Sequence, residues 1–375
     1  MATDLTGVQA ESQGAGTRQG AGSRPHPTQP TTHRTRKLGR TGVLAALVLG
    51  VLVTIAVTVA IGPADIAPHE VITSILRHLG LGSLAGEPLP PLRDAMVWEL
   101  RLPRVLVAGC VGAGLAVCGA IMQSLTRNPL ADPYLLGLSS GASLGAVAVL
   151  ILGIAVALPV AAFVGAVGAL VASLALAGSL GRITPTRTVL AGLAVSQLCA
   201  AVTSFVIFWS STGDSYREIL SWLMGSVGSA TWTSVAIAGG ASLVILVPLM
   251  FLGNVLDAFT FGDDSARALG FNATRWRWGL LLAVALLTGA LVSVSGSIGF
   301  VGLIIPHAVR GIAGSGHRFL LPASALVGAI FLMWADTLAR TVFSPRELPV
   351  GVVTAVIGAP IFAIILWRTR GGSDV

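Results

Sequence analysis

Residues 289–311 read GALVSVSGSIGFVGLIIPHAVRG, an apolar run into which Pro306, His307 and Arg310 are set close together. A proline removes a backbone donor and bends a helix. An imidazole and a guanidinium are costly in apolar surroundings. Either a membrane-spanning segment bends here near its end, with Arg310 reaching water along its own stem, or the three groups carry chemistry, with His307 as a metal ligand or proton relay. No second His, Cys or Glu stands at ligand spacing beside His307, so a hydrogen-bonded histidine closing a helix is expected.

The remainder of the chain has the character of a membrane protein. Of 375 residues, 54% are hydrophobic and 10% charged, with a mean hydropathy of +0.85. A soluble domain carries about 25% charged residues. Stretches near the ~20 apolar residues that cross a bilayer fall at about 43–62, 105–124, 135–156, 158–180, 188–209, 232–252, 278–296, 298–314, 320–342 and 349–367. The expected fold is an all-α polytopic membrane protein of about ten transmembrane helices. With the N-terminus in the cytosol, sixteen of the 23 Lys and Arg residues lie inside; Arg77, Arg93, Arg101, Arg104, Arg217, Arg340 and Arg346 lie outside. The positive-inside bias therefore puts both termini in the cytosol.

Residues 1–41 are rich in Gly, Ser, Thr and Pro and are expected to form a disordered cytosolic tail. A ten-span transmembrane domain over 42–370 and a short tail, 371–375, are expected after it. The apolar stretch after the first tail is too long for a signal-peptide core. Cys110, Cys118 and Cys199 fall inside predicted spans, where a thiol is a small buried side chain; neither a metal nor a cofactor is expected. Lys37 is the single lysine, and the phosphate-cradling pattern G-x-x-x-x-G-K-[ST] is missing, so the chain has no P-loop of its own.

The opening stretch has a faint counterpart. At an offset of 177 residues, Gly112, Ala113, Val117, Gly119, Ile121, Pro129 and Ala131 align with Gly289, Ala290, Val294, Gly296, Ile298, Pro306 and Ala308. Five predicted spans separate the copies, an odd number, so the halves are expected to be inverted five-helix repeats, an architecture of transporters.

Three further groups invite a functional reading. GLSSG at 137–141 fits the nucleophile elbow G-x-S-x-G and would make Ser139 the nucleophile of an intramembrane serine hydrolase. Gly137, Gly141 and Gly145 recur every four residues, however, which is the pattern of close helix packing. FGDDSARALGFNATRWRW at 261–278 belongs to the longest predicted cytosolic loop, about 253–277. Asp263 and Asp264 suit a helix N-terminus, Gly270 a helix stop, and the small residues Ser265, Ala266 and Ala268 with Leu269 suit another protein's groove. On the outer side, Arg101, Arg104 and Arg340 run against the charge bias and form an expected exposed basic cluster for an acidic partner. Alternatively, Arg340 pairs with Asp336 one helical turn earlier, and Glu99 pairs with one of the other two.

RLPRVLVAG, NPLADPYLLGLSSGASLGA, ARALG, SGSIGFVGLIIPHAVR, HRFLLPASALVGA, ADTLAR and ELPVGVVTAVIGAPIF, spread over about residues 42–370, resemble the FecCD-type permeases of ATP-binding-cassette importers for iron–siderophores, haem and cobalamin. The resemblance implies a non-enzymatic ten-span subunit of the bacterial cytoplasmic membrane, paired with a second permease copy, two ATPase subunits and an extracytoplasmic binding protein. It implies no nucleic-acid partner. By the same resemblance Gly262, Ser265, Ala266, Arg267, Leu269 and Gly270 meet the ATPase. Arg101, Arg104 and Arg340 meet carboxylates of the binding protein, and Pro185 and Thr186, in the turn RITPTRT at 182–188, line a cytosolic gate. NPLADPYLLG inclines the cargo toward iron chelates. An ion-coupled secondary transporter of the same inverted architecture stands as the rival, although Asp336 is the one acid inside a predicted span and Arg340 is placed to neutralise it.

Overall fold

The computed structural model describes residues 32–62, 64, 66–179, 184–210 and 213–370. Fourteen helices run in chain order, with no strand among the described residues. They are α1 (Thr32–Ala60), α2 (Pro68–His78), α3 (Pro91–Thr126), α4 (Leu138–Leu152), α5 (Leu158–Ser179), α6 (Pro185–Ser210), α7 (Gly213–Leu223) and α8 (Trp232–Met250). After these come α9 (Gly253–Thr260), α10 (Asp263–Ala268), α11 (Ala273–Ser295), α12 (Val301–Ala313), α13 (His317–Thr341) and α14 (Val350–Arg370). Each predicted apolar stretch contains one of ten helices. Seven, namely α1, α3, α5, α6, α8, α11 and α13, are long and apolar enough to cross a membrane. The apolar parts of α4, α12 and α14 (Leu138–Leu152, Val301–Ile312 and Val350–Ile365) are shorter.

Helix α3 is the hub, because small residues let its neighbours come to backbone contact. A Cβ added at Gly119 would stand 1.8 Å from the carbonyl oxygen of Gly302 in α12, and one at Gly112 only 2.2 Å from that of Gly328 in α13. Lipid tails are as apolar as leucine, so such close packing is what holds membrane helices together. The same device joins α4 to α5: a Cβ on Gly141 would meet Gly165 O at 2.3 Å, and one on Gly145 would meet Ala161 O at 2.1 Å. Gly141 and Gly145 thus pack helices, as expected of the four-residue spacing.

Several expectations need correction. The first helix begins at Thr32, so residues 32–41, expected within the tail, are helical; residues 1–31 and 371–375 lie outside the described residues. The stretches paired at an offset of 177 differ in local structure: Gly119 sits inside α3, whereas its counterpart Gly296 ends α11. His307 does not close a helix, because α12 continues to Ala313 with Pro306 inside it. Arg310 does not simply reach water, since its guanidinium donates to Gln123 Oε1 at 3.0 Å.

Between α11 and α12 the chain is unwound over residues 296–300, with φ of 63° at Gly296 and 69° at Phe300. Non-helical backbone at membrane depth is tolerated only where protein or a wet cavity satisfies its polar groups. Here the Tyr134 hydroxyl donates to Ile298 O (3.1 Å) and accepts the Ile298 N–H (3.2 Å). Ser226 N–H donates to Ser295 O at 2.8 Å.

Candidate functional site

One end of the bundle carries all three arginines singled out in the sequence, in a cleft of about 510 Å³ lined also by Glu99, Thr231 and Glu347. They share that cleft, but they are not exposed. Arg101, Arg104 and Arg340 retain 6%, 8% and 3% of their accessible surface, which overturns the expectation of an open basic patch. Glu99 does not partner them. Arg104 Nε and Nη2 fork onto Asp336 at 2.9–3.0 Å, and Nη1 reaches Glu347 at 2.7 Å. Arg101, without an acid, donates to the carbonyl oxygens of Val59 (3.0 Å), Ala60 (2.9 Å) and Ala64 (2.6 Å). These are the last turn of α1 and the chain just beyond it, where carbonyls lack helical partners and the helix dipole is negative.

The i, i+4 pairing of Arg340 with Asp336 is weak. Arg340 Nε stands 4.0 Å from Asp336 and has no hydrogen-bond partner, while Nη2 donates to Thr58 O. Asp336 is therefore neutralised by Arg104 of α3 rather than by its own helix. Sequence reasoning missed Glu347. It lies in the quoted motif ELPVG, but its partner is 243 positions away, and no spacing rule reaches that far. Glu347 also lines a neighbouring cleft of about 530 Å³ with Arg217, Glu218 and Trp222, so it stands at the seam of the two.

At the other end, the loop expected over 253–277 is shorter than that. Residues 253–260 form α9, whose Val255, Leu256, Ala258 and Phe259 are buried, and α11 starts at Ala273. The projecting piece is α10 and its flanks. Helix α10 runs from Asp263 to Ala268, and two residues beyond it Gly270 has a φ of 86° and an N–H that bonds back to Arg267 O at 2.9 Å. That is the glycine stop read from the sequence. Ala266 has no accessible surface, and Gly262 is buried as well. Ala266 is thus the inward face of α10 and Gly262 its buried entry, a correction to the set of residues expected to touch a partner. The outward residues are Arg267, Leu269 and Gly270, with Ser265 half-buried and its Oγ turned back to Phe261 O. Phe261 and Leu269 are 78% and 67% exposed, and Phe261 had no place in the sequence reading.

Residues 182 and 183, the start of the expected gate turn, lie outside the described residues. Residues 185–188 are not a turn but the first turn of α6. Thr186 is exposed there, and Thr184 Oγ1 accepts the Arg187 N–H at 3.3 Å. Ser139 lies in the first turn of α4, with its Oγ 2.6 Å from Ser297 Oγ. A nucleophile elbow needs a strand before the turn, and none precedes this serine. No group of three or more His, Cys, Asp or Glu side chains is placed to hold a metal among the described residues.

The chain is similar to known transport proteins. The FecCD transport family model matches residues 49–368. The chain is 40% identical over 332 residues to the ABC transporter permease protein YvrB of Bacillus subtilis, covering 86% of this chain and 93% of that one. It is 39% identical over 335 residues to the hemin transport system permease protein HmuU of Yersinia pestis (86% and 96% covered). Identity is 44% over 283 residues to the vitamin B12 import system permease protein BtuC of Vibrio cholerae (74% and 85%). A solved structure of a metal-chelate type ABC transporter in an inward-facing conformation superposes with a TM-score of 0.75 at 30% identity, covering 88% of this chain and 99% of that one. With a family model spanning most of its length and relatives near 40% identity, this chain belongs to the FecCD transport family.

Proposed function

We propose that the chain carries a bulky metal chelate (a ferric chelate, haem or a corrinoid) through the cytoplasmic membrane, as one of two permease copies in an importer. It is the permease subunit of an ABC importer, and ATP is hydrolysed by separate subunits. Among its relatives are a permease named for hemin, another for vitamin B12 and a third for Fe(3+)-citrate. These cargoes are large chelates, and the iron-bearing ones suit the inclination of NPLADPYLLG. Both termini lie in the cytosol, as the arginine bias indicates. The α10 end then faces two ATPases through Phe261, Arg267, Leu269 and Gly270, seated on Gly262, Ser265 and Ala266. Pro185 and Thr186 stand at the cytosolic gate, and the arginine cleft faces the binding protein outside.

The observation that carries this reading is the pairing of an outward, partly apolar turn at one end of the bundle with a buried arginine cluster at the other. Within that cluster Arg104 is held by Asp336 and Glu347, whereas Arg101 and Arg340 hydrogen-bond to backbone oxygens. These two guanidinium groups, with Glu99 as the remaining acid of the cleft, suit an acidic visitor. Proteoliposomes test it: uptake should require the ATPase, ATP and the binding protein together. Uptake driven by a proton or sodium gradient alone would overturn the proposal in favour of a secondary transporter.

A further inference from the structure

Asp257, in α9, accepts two hydrogen bonds from the first residue of α13: the His317 backbone N–H at 2.9 Å and the ring Nδ1–H at 2.6 Å. Gly316, which precedes α13, has no side chain to cap the helix. A carboxylate from another helix performs that task, at the end where the helix dipole is positive. The next residue, Arg318, donates to Asn254 of α9, and a Cβ on Gly253 would lie 2.7 Å from Arg318 N. On its other flank α9 is held by α3, whose Ser124 Oγ donates to Leu256 O at 3.1 Å.

The two helices that grip α9 are also the two that carry Arg104 and Asp336. Arg104 meets Asp336 and Gly112 meets Gly328, so α3 and α13 run antiparallel in contact. From His317 to Asp336 the rod is roughly 28 Å long at 1.5 Å per residue. Close-packed interiors transmit a displacement rather than absorb it, and this pair is fastened at both ends.

We infer that Asp257 is a positioning residue for coupling. It fastens the segment that bears α10 to the α3–α13 rod, so a shift at the ATPase-facing loop moves the Arg104–Asp336 cleft with it. The inference rests on the proposed placement of the ATPase and the binding protein at those two ends. The test uses the assembled complex in lipid nanodiscs, comparing ATP hydrolysis with and without the binding protein. Asp257→Ala should lower that stimulation ratio by about fivefold or more, whereas Asp257→Asn, which keeps an oxygen to accept both N–H groups, should retain most of it. A ratio unchanged in Asp257→Ala, with only thermal stability reduced, makes the residue merely structural and overturns the inference. Should Asp257→Ala fail to assemble, His317→Phe, which removes the ring donor and leaves the backbone cap, decides in the same way. Arg267→Glu separates the two levels. If that variant keeps a normal ratio, the placement of the ATPase is wrong; if it uncouples while Asp257→Ala does not, only the role of Asp257 falls.

Discussion

Gln123 of α3 supplies the donor that Pro306 of α12 lacks. Pro306 has no N–H for the carbonyl of Gly302, four residues before it, and Gln123 Nε2 lies 3.4 Å from that oxygen and 3.1 Å from Leu303 O. Its Oε1 accepts from Arg310 at 3.0 Å, so one amide satisfies the backbone gap and a half-buried guanidinium together. The Pro-His-Arg constellation is therefore a repaired helix bend. Gln123→Ala should lower stability by about 1–3 kcal/mol, the cost of a buried polar group left unpaired. In a Pro306→Ala background, where Gly302 O regains a helical donor, the same change should cost less. Thermal unfolding of the four variants in detergent gives the coupling, and additive losses would count against the repair.

The two acids of the arginine cleft should behave differently. Asp336 is 1% exposed and forks with Arg104, so Asp336→Asn leaves the buried guanidinium with only the half-exposed Glu347 as counter-charge and should cost about 3–5 kcal/mol. The Glu347 side chain is 46% exposed, and Glu347→Gln should cost at most about 1 kcal/mol. Chemical denaturation of both variants by tryptophan fluorescence checks the ranking.

Because Glu347 occupies Nη1 of Arg104 from within the chain, it competes with any carboxylate arriving from outside. Glu347→Gln should tighten binding-protein association at low ionic strength, and added salt should erase the gain. Surface plasmon resonance on nanodiscs measures it. Unaltered affinity at low salt would show that Arg104 serves only the fold.

Gly119→Ala should prevent correct assembly of the bundle, because the new methyl would stand 1.8 Å from Gly302 O, a backbone atom with no room to yield. A loss beyond about 4 kcal/mol is expected. Gly168→Ala in α5 meets nothing within 4 Å and should stay within about 1 kcal/mol of the parent. Expression level and melting temperature distinguish the two.

The all-helical fold was legible because its apolar segments are runs of one character, seven of them long enough to cross a membrane, and the Gly270 stop because a single residue type suits a left-handed turn. Partnership was not legible. Arg104 finds Asp336 across 232 positions, and before α3 and α13 are laid side by side the nearest acids in sequence look like the obvious mates. The inward turn of Ala266 was hidden for another reason: α10 has six residues, too few for a 3.6-residue period to separate an inner from an outer face. Gln123 lay in plain view as an amide inside an apolar run, a signal that a buried polar gap waits on a neighbouring helix.

The unwound link at 296–300 has no room for an added residue. Gly296 has Trp222 O 2.2 Å from where a methyl would stand, and Gly225, just after α7, has Ser297 O at 2.4 Å; Gly351 N–H in α14 also bonds to Gly225 O at 3.1 Å. An inserted residue there would disturb three distant parts of the chain at once. Homologues of different length should therefore have grown elsewhere, in the short connections at the rim, and kept this knot at constant length.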